Sequence, residues 1–331
     1  MFSKLFRGTG PGVIFLIVVI LALMWISAFI EPGTGEAAVY ESDPMPLYAV
    51  VKMITGPNVW SGLIFTMLVL IFVLFLLVNF NTSVFFIGER TFFPAFMYIL
   101  MTALLPFNQV PNPVLPAIVF LMLALKRIMG SYRKAGTAFN FFDAALFIST
   151  GSLFYANLIW FGAVVFIGII LLRSGNIIEI TTSVIGLATP YIILAGIYYV
   201  IGKDVSLPVS VLGENLFAEP AEFALSRIET LTLVFTGLMI LTAVAFLLKM
   251  IDSRKIKSRK TFYLLLWVMI ITVVVYFTVP SASAELLWIF AIPVSYILSH
   301  YFIFVRKKVV PEIMFSGFFL LVLLVQVLSL L

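Results

Sequence analysis

Few residues in this chain are charged, and the ones whose types and spacing best suit chemistry are acidic. Glu31, Glu36, Glu41 and Asp43 share one polar segment, and the tightest pair, Glu41-Ser42-Asp43, stands directly before Pro44. Carboxylates at i and i+2 can share a divalent cation with a diphosphate, or one can serve as a general base. Glu41 and Asp43 are therefore the candidate catalytic residues, with a divalent cation as the candidate cofactor. The same triplet also suits a solvated acidic loop. Two cations close to apolar segments, Lys52 and Arg227, are candidate ligands for a lipid phosphate. Both also suit the role of interface anchors that snorkel to water.

Other chemistry is excluded by composition. The 331 residues contain no cysteine and one histidine, His300, so no thiolate or multi-histidine metal site can be built. A buried, hydrogen-bonded histidine is the plain reading of His300. A pairing with Ser149 or Ser152 would rest on residue types alone. The chain is 63% hydrophobic and 11% charged, with a mean hydropathy of +1.19. Soluble domains carry about 25% charged residues, so a soluble enzyme, a disordered chain and a nucleic-acid binder are all excluded.

The elements that must position these residues are apolar segments of bilayer length, about 20 residues each. Pro11–Ile30 follows Lys4 and Arg7 and reads as an uncleaved signal anchor. Single spans follow at about Trp60–Asn79, Ile185–Ile201, Thr230–Leu248, Thr261–Val279, Leu286–Val305 and Glu312–Leu331. Thr91–Leu125 is uncharged but broken by Pro106, Asn108, Pro111, Asn112 and Pro113, which predicts two short spans joined by a tight turn. The segment from about Phe141 to Leu172 should enter and return, breaking near Gly151–Asn157, either as two full spans or as a re-entrant hairpin. A single crossing there would put Arg254, Lys255, Lys257, Arg259 and Lys260 opposite Lys126, Arg127, Arg133 and Lys134, against the positive-inside bias.

The expected fold is an all-α, polytopic integral membrane protein of about eleven transmembrane segments, with the amino terminus inside and the carboxy terminus outside. It forms one membrane domain over 1–331, with short or re-entrant helices around 91–172. On this topology Lys52, Lys203 and Arg227 alone among the 20 Lys and Arg lie outside, and the net charge of +5 reports orientation. The outer loops 31–58 and 202–226 each end in an amphipathic stretch, of the kind that lies in the interface plane. One holds Leu47, Val50, Val51 and Ile54; the other holds Leu216, Phe217, Phe223, Ala224 and Ile228 and is expected to begin near Glu219-Pro220. The inner loop 252–260 is basic. Asp143, Glu229, Glu285 and Glu312 fall at span ends, where water is close, so no carboxylate offers itself as the carrier of an ion-driven porter. Trp60, Tyr132, Tyr155 and Trp288 read as interfacial anchors.

Several stretches carry a resemblance. Asn81–Tyr98 with Glu89, Arg90 and Pro94, Leu123–Lys134 with its basic turn, and Phe141-Phe142-Asp143-Ala144 followed by Gly151–Tyr155 resemble an uncharacterised family of polytopic inner-membrane proteins from Bacteroidota. The likeness covers about residues 60–200 and implies a bacterial inner, cytoplasmic membrane. Members are sometimes labelled carotene monooxygenases, but one histidine cannot supply that iron chemistry. In layout the chain also distantly resembles the GT-C membrane glycosyltransferases, which place an essential Asp or Glu in the first outer loop beside surface helices. That resemblance implies transfer of a sugar from a polyprenol-linked donor at the outer face, with Glu41 and Asp43 in the matching positions. It departs from the class in having neither long outer loops nor an appended outer domain. The alternatives are a non-catalytic scaffold or accessory subunit bound to partner membrane proteins, and a lipid or amphiphile transporter.

Overall fold

The structure, a computed structural model, describes residues 5–30, 43–134, 136–173, 175, 177–219, 223–306 and 309–330. The described residues form helices and connecting turns, in keeping with the all-α expectation. Among the described residues, seven helical segments are long and apolar enough to cross a membrane, which gives a multi-pass membrane protein. They are α4 (Val59–Val84), Ala156–Arg173 with α8 (Gly162–Arg173) as its regular part, α9 (Ile177–Val200), α11 (Arg227–Met250), α12 (Ile256–Thr278), α13 (Leu286–Phe304) and α14 (Val309–Leu328). Shorter apolar helices pack among them: α1 (Pro11–Met24), which continues as α2 (Ile26–Ile30), α5 (Phe93–Thr102), α6 (Val114–Gly130) and α7 (Ala138–Ser152).

The two difficult regions fold as their punctuation predicts. Thr91–Leu125 becomes α5, a 3-10 turn at Pro106–Asn108, and α6. The break in the second region falls at 153–155, between α7 and the 3-10 turn Ala156–Phe161 that leads into α8. Gly151 lets that return pack tightly, because a Cβ there would lie 2.4 Å from Leu158 and 3.0 Å from Phe120. Helix α9 begins at Ile177, earlier than its apolar run suggests, because Glu179 is neutralised within its first turn. It packs along α7 where a Cβ on Gly186 would lie 2.6 Å from the Phe142 carbonyl.

Side-chain contacts define two ends. At one, Asn108 donates to the Ala284 carbonyl (3.0 Å), Gln109 to the Met24 carbonyl (2.9 Å) and Gln326 to the Ala103 carbonyl (2.8 Å). At the other, Lys126 reaches Asn79 (2.9 Å), Arg7 the Phe302 carbonyl (2.8 Å) and Arg173 the Lys134 carbonyl (2.8 Å). We call these the polar-loop end and the basic end. Between them α13 is the central helix, buried over 83% of its most apolar stretch, whereas α9 is buried over 17%. Such apolar exposure on α9 suits contact with lipid.

Two short helices lie at the polar-loop end, α3 (Pro46–Thr55) and α10 (Leu207–Leu216). The first matches its amphipathic pattern. The second corrects an expectation: it precedes Glu219 rather than starting there, and 223–226 is not helical. Pro208 supplies the preset first turn, and the Asp204 carboxylate accepts from the Ser206 backbone N–H (2.9 Å) just before it.

Candidate functional site

The acidic loop enters the described structure at Asp43; Glu41, the other candidate carboxylate, lies outside the described residues. Asp43 is held by its backbone. Its N–H donates to Asn215 Oδ1 (3.3 Å), and Asn215 Nδ2 donates to its carbonyl (2.7 Å), which leaves the carboxylate exposed. Two residues on, Met45 is buried against Ala156 and Leu216, so the loop, the α7–α8 return and α10 share one small apolar contact. Lys52 is exposed on α3, its Nζ 5.2 Å from the Tyr48 ring centre, and Arg227 is exposed at the start of α11. Among the described residues no ion pair joins Asp43, Lys52 and Arg227, and no three His, Asp or Glu side chains converge as metal ligands would.

A different carboxylate anchors the polar centre here. Glu285 is 2% exposed, which corrects its placement at a watery span end. Val279-Pro280 ends α12, because proline has no N–H to continue the helix, and the turn Ser281-Ala282-Ser283-Ala284-Glu285 then folds inward. Glu285 Oε1 accepts from the Tyr155 hydroxyl (2.6 Å) and the Ser283 N–H (3.0 Å), and Oε2 accepts from the Ser283 hydroxyl. Asn157 donates to the Tyr155 oxygen (3.2 Å) and Ser281 Oγ (3.1 Å), and Ser281 donates to the Leu216 carbonyl (3.2 Å). The cluster thereby reaches α10 and, through the neighbouring Asn215, the Asp43 loop. Burial pushes the Glu285 carboxyl above the usual carboxylate range, and the bonds from Ser283 and Tyr155 oppose that shift. No cation pairs with it among the described residues.

Beside this cluster opens a groove of about 730 Å³ between the polar-loop ends of α11, α12 and α13. Its walls are mainly apolar, with Phe277, Phe290 and the stacked rings of Phe107 and Phe223 (4.8 Å between centres). Thr272, Tyr276 and Ser283 supply hydroxyls. Ser283 thus lines the groove and also binds Glu285. Ligand sites typically occupy about 300–1,000 Å³, apolar with a few placed polar groups. Asp43, Lys52 and Arg227 do not line the groove, although Leu225 does.

The remaining candidates are held apart. Ser149 donates to the Leu187 carbonyl (2.5 Å) and Ser152 pairs with the Tyr191 hydroxyl (2.8 Å). His300 lies elsewhere, buried among Phe246, Phe262 and Phe304, with no hydrogen-bond partner among the described residues. The expectation of a hydrogen-bonded core histidine is corrected to that extent. Tyr155 and Trp288, read as interfacial anchors, are fully buried. What sequence reasoning missed is the Tyr155–Asn157–Ser281–Ser283–Glu285 set. Its one available signal was three polar side chains at alternate positions directly after a proline and before an apolar span.

The fold and its groove define a multi-pass helical membrane protein with a polar cluster at one end. The chain belongs to a family of unknown function (DUF6427), whose sequence model matches residues 47–330. No curated protein and no solved structure matches it significantly.

Proposed function

We propose that this protein binds the hydrocarbon part of a membrane amphiphile in the groove between α11, α12 and α13, with the polar head toward the Ser283–Glu285 cluster. The observation that carries this reading is an apolar groove of lipid-chain size whose wall includes a hydroxyl bonded to a buried carboxyl. The test uses the full chain in neutral detergent with a fluorescent diacylglycerol, whose head is uncharged. Val273 and Leu225 line the groove and are exposed, so V273W and L225W fill it without disturbing the core. Each should weaken binding about tenfold or more, the loss of about 1.4 kcal/mol. Unchanged binding in both variants would overturn the reading.

A second reading is favoured by Asn215, which ties the Asp43 loop to the same cluster. Here the amphiphile is a polyprenol-linked sugar and the protein a GT-C-like transferase. Glu41 or Asp43 would be the general base or a ligand of a divalent cation, and Lys52 and Arg227 would hold the lipid phosphate. Loss of sugar transfer in the E41A/D43A double variant, with lipid binding kept, supports it; full transfer in that variant removes it. A partner membrane protein that co-purifies in fixed ratio, with no lipid bound, would favour the accessory-subunit alternative instead.

Both readings put the basic end at the cytoplasmic face of a bacterial inner membrane, with α1, α5, α6 and α7 counted beside the seven long segments as eleven in all. Periplasmic reporter activity from a carboxy-terminal fusion is the expected result. A cytoplasmic carboxy terminus would break this topology.

A further inference from the structure

We infer that Glu285 is a proton-binding group coupled to the groove, so that amphiphile binding takes up a proton and is tighter in acid. The inference rests on the lipid-binding reading above and adds to it a second ligand, the proton.

The argument begins with what surrounds the carboxyl. Among the described residues, Tyr155, from the α7–α8 return, is the titratable side chain hydrogen-bonded to it. Around that pair, α10 contributes the Leu216 carbonyl through Ser281, the return contributes Asn157, and the turn before α13 contributes Ser281 and Ser283. Among the described residues, the charged groups at this end make no ion pair with Glu285: Asp43, Lys52, Lys203, Asp204, Glu214, Glu219 and Arg227 are exposed, and the half-buried Glu229 caps α11 through Ser226. An ionised carboxylate in this position has hydrogen bonds but no counter-charge among the described residues. The protonated form needs none. Burial accordingly favours the proton.

The coupling comes from Ser283, which is in the groove wall and on the carboxyl at once. A hydrocarbon chain in the groove expels water from the side of the cluster that Ser283 faces. Lower local polarity penalises the charged form further, so the filled groove holds the proton more tightly than the empty one. Linkage then requires the converse, that a protonated Glu285 holds the chain more tightly. The proton comes from water at the polar-loop end and is returned there when the chain leaves. No midplane carboxylate is needed for such coupling.

The experiment measures binding of the same uncharged diacylglycerol probe from about pH 5 to about pH 9, where the probe itself does not titrate, while infrared difference spectra follow the protonated-carboxyl band. Affinity should be about tenfold higher at the acid end, the change expected if a filled groove holds the proton about ten times more tightly. E285Q, a near-isosteric neutral side chain, should bind with the acid-end affinity at every pH and lose the infrared band. S283A should flatten the pH dependence, whatever its effect on the affinity itself, because it breaks the link between the groove wall and the carboxyl. A wild-type affinity independent of pH, or the same slope in E285Q, would overturn the coupling. So would a carboxyl that stays ionised throughout. If the band titrates and no probe binds at any pH, the lipid-binding reading itself fails and the coupling falls with it. If E285Q elutes as aggregate, S283A with the infrared titration decides.

Discussion

Two glutamates are buried to the same degree at opposite ends of this molecule, and they differ in whether a cation stands beside them. Glu179, at the basic end, is 2% exposed and pairs with Arg173 Nε (3.1 Å) while accepting from the Thr137 hydroxyl (2.6 Å). Glu285, at the polar-loop end, is also 2% exposed and has hydroxyl and amide donors but, among the described residues, no cation. The first sets charge against charge through its Oε1, while its Oε2 has no hydrogen-bond partner among the described residues, and it staples α8 and α9 to the loop before α7. The second can satisfy its surroundings with or without a proton, and it lies beside the groove. Burial alone therefore does not separate these two carboxylates; the counter-charge beside one and the cavity beside the other do.

The largest effect should come from breaking the charged pair. Arg173→Met leaves Glu179 buried without its cation, a loss of about 3–5 kcal/mol for a fully buried pair. Arg173 is 26% exposed in its side chain, so about 3 kcal/mol is expected, read as a fall in Tm of the purified protein. The double variant R173M/E179Q should recover much of that loss, because no charge is stranded. If R173M melts like the wild type, the two glutamates do not differ as argued.

The same conservative exchange at both sites sharpens the contrast. Glu179→Gln removes the charge that holds Arg173 and should cost more than Glu285→Gln, which still offers an acceptor to Tyr155. Glu285→Ala should be worse than Glu285→Gln. It strands the Tyr155 hydroxyl and the Ser283 donors in a buried site, at about 1–3 kcal/mol. Comparative melting of the three variants checks the order, and E285Q falling below E285A would reverse the interpretation of the cluster.

Stability should also depend on pH through Glu285. Its carboxyl is raised in the folded state, so between the ordinary carboxylate range, about 4, and its own higher value the folded chain binds more protons than the unfolded one. Unfolding free energy therefore falls as pH rises through that window and levels off above it. The favourable contribution is fully present only below the window. A Tm that declines with pH in the wild type and not in E285Q is the expected result; parallel profiles would exclude Glu285 as the source.

Much of the architecture was legible because its signals are local. Prolines and asparagines at 106–113 marked the α5–α6 turn, the small residues near Gly151 marked the α7–α8 return, and the helical spacing of Leu47, Val50, Val51 and Ile54 marked α3. The site was not legible for the opposite reason. Glu285 meets Tyr155, 130 positions away, and Ser281 meets Asn157, 124 positions away. A carboxylate at the edge of an apolar run looks solvated until those partners are known to cover it. Glu179 hides in the same way, since its charge delays the apparent start of α9 by a full two turns.

The smallest effect is expected at the residue that the sequence favoured most. Asp43 is fixed through its backbone by Asn215, and its carboxylate is exposed. Asp43→Ala should therefore change stability by no more than about 0.5 kcal/mol, as exposed substitutions generally do. Asn215→Ala, by contrast, should cost about 1–3 kcal/mol by stranding the Asp43 backbone groups. The pair separates position from chemistry. If D43A melts normally and sugar transfer is lost, the exposed carboxylate acts on a substrate; if D43A melts normally and lipid binding persists unchanged with its pH dependence, the chemistry of this end belongs to the buried glutamate. A destabilised D43A would mean that the side chain, and not only the backbone, holds the loop against α10.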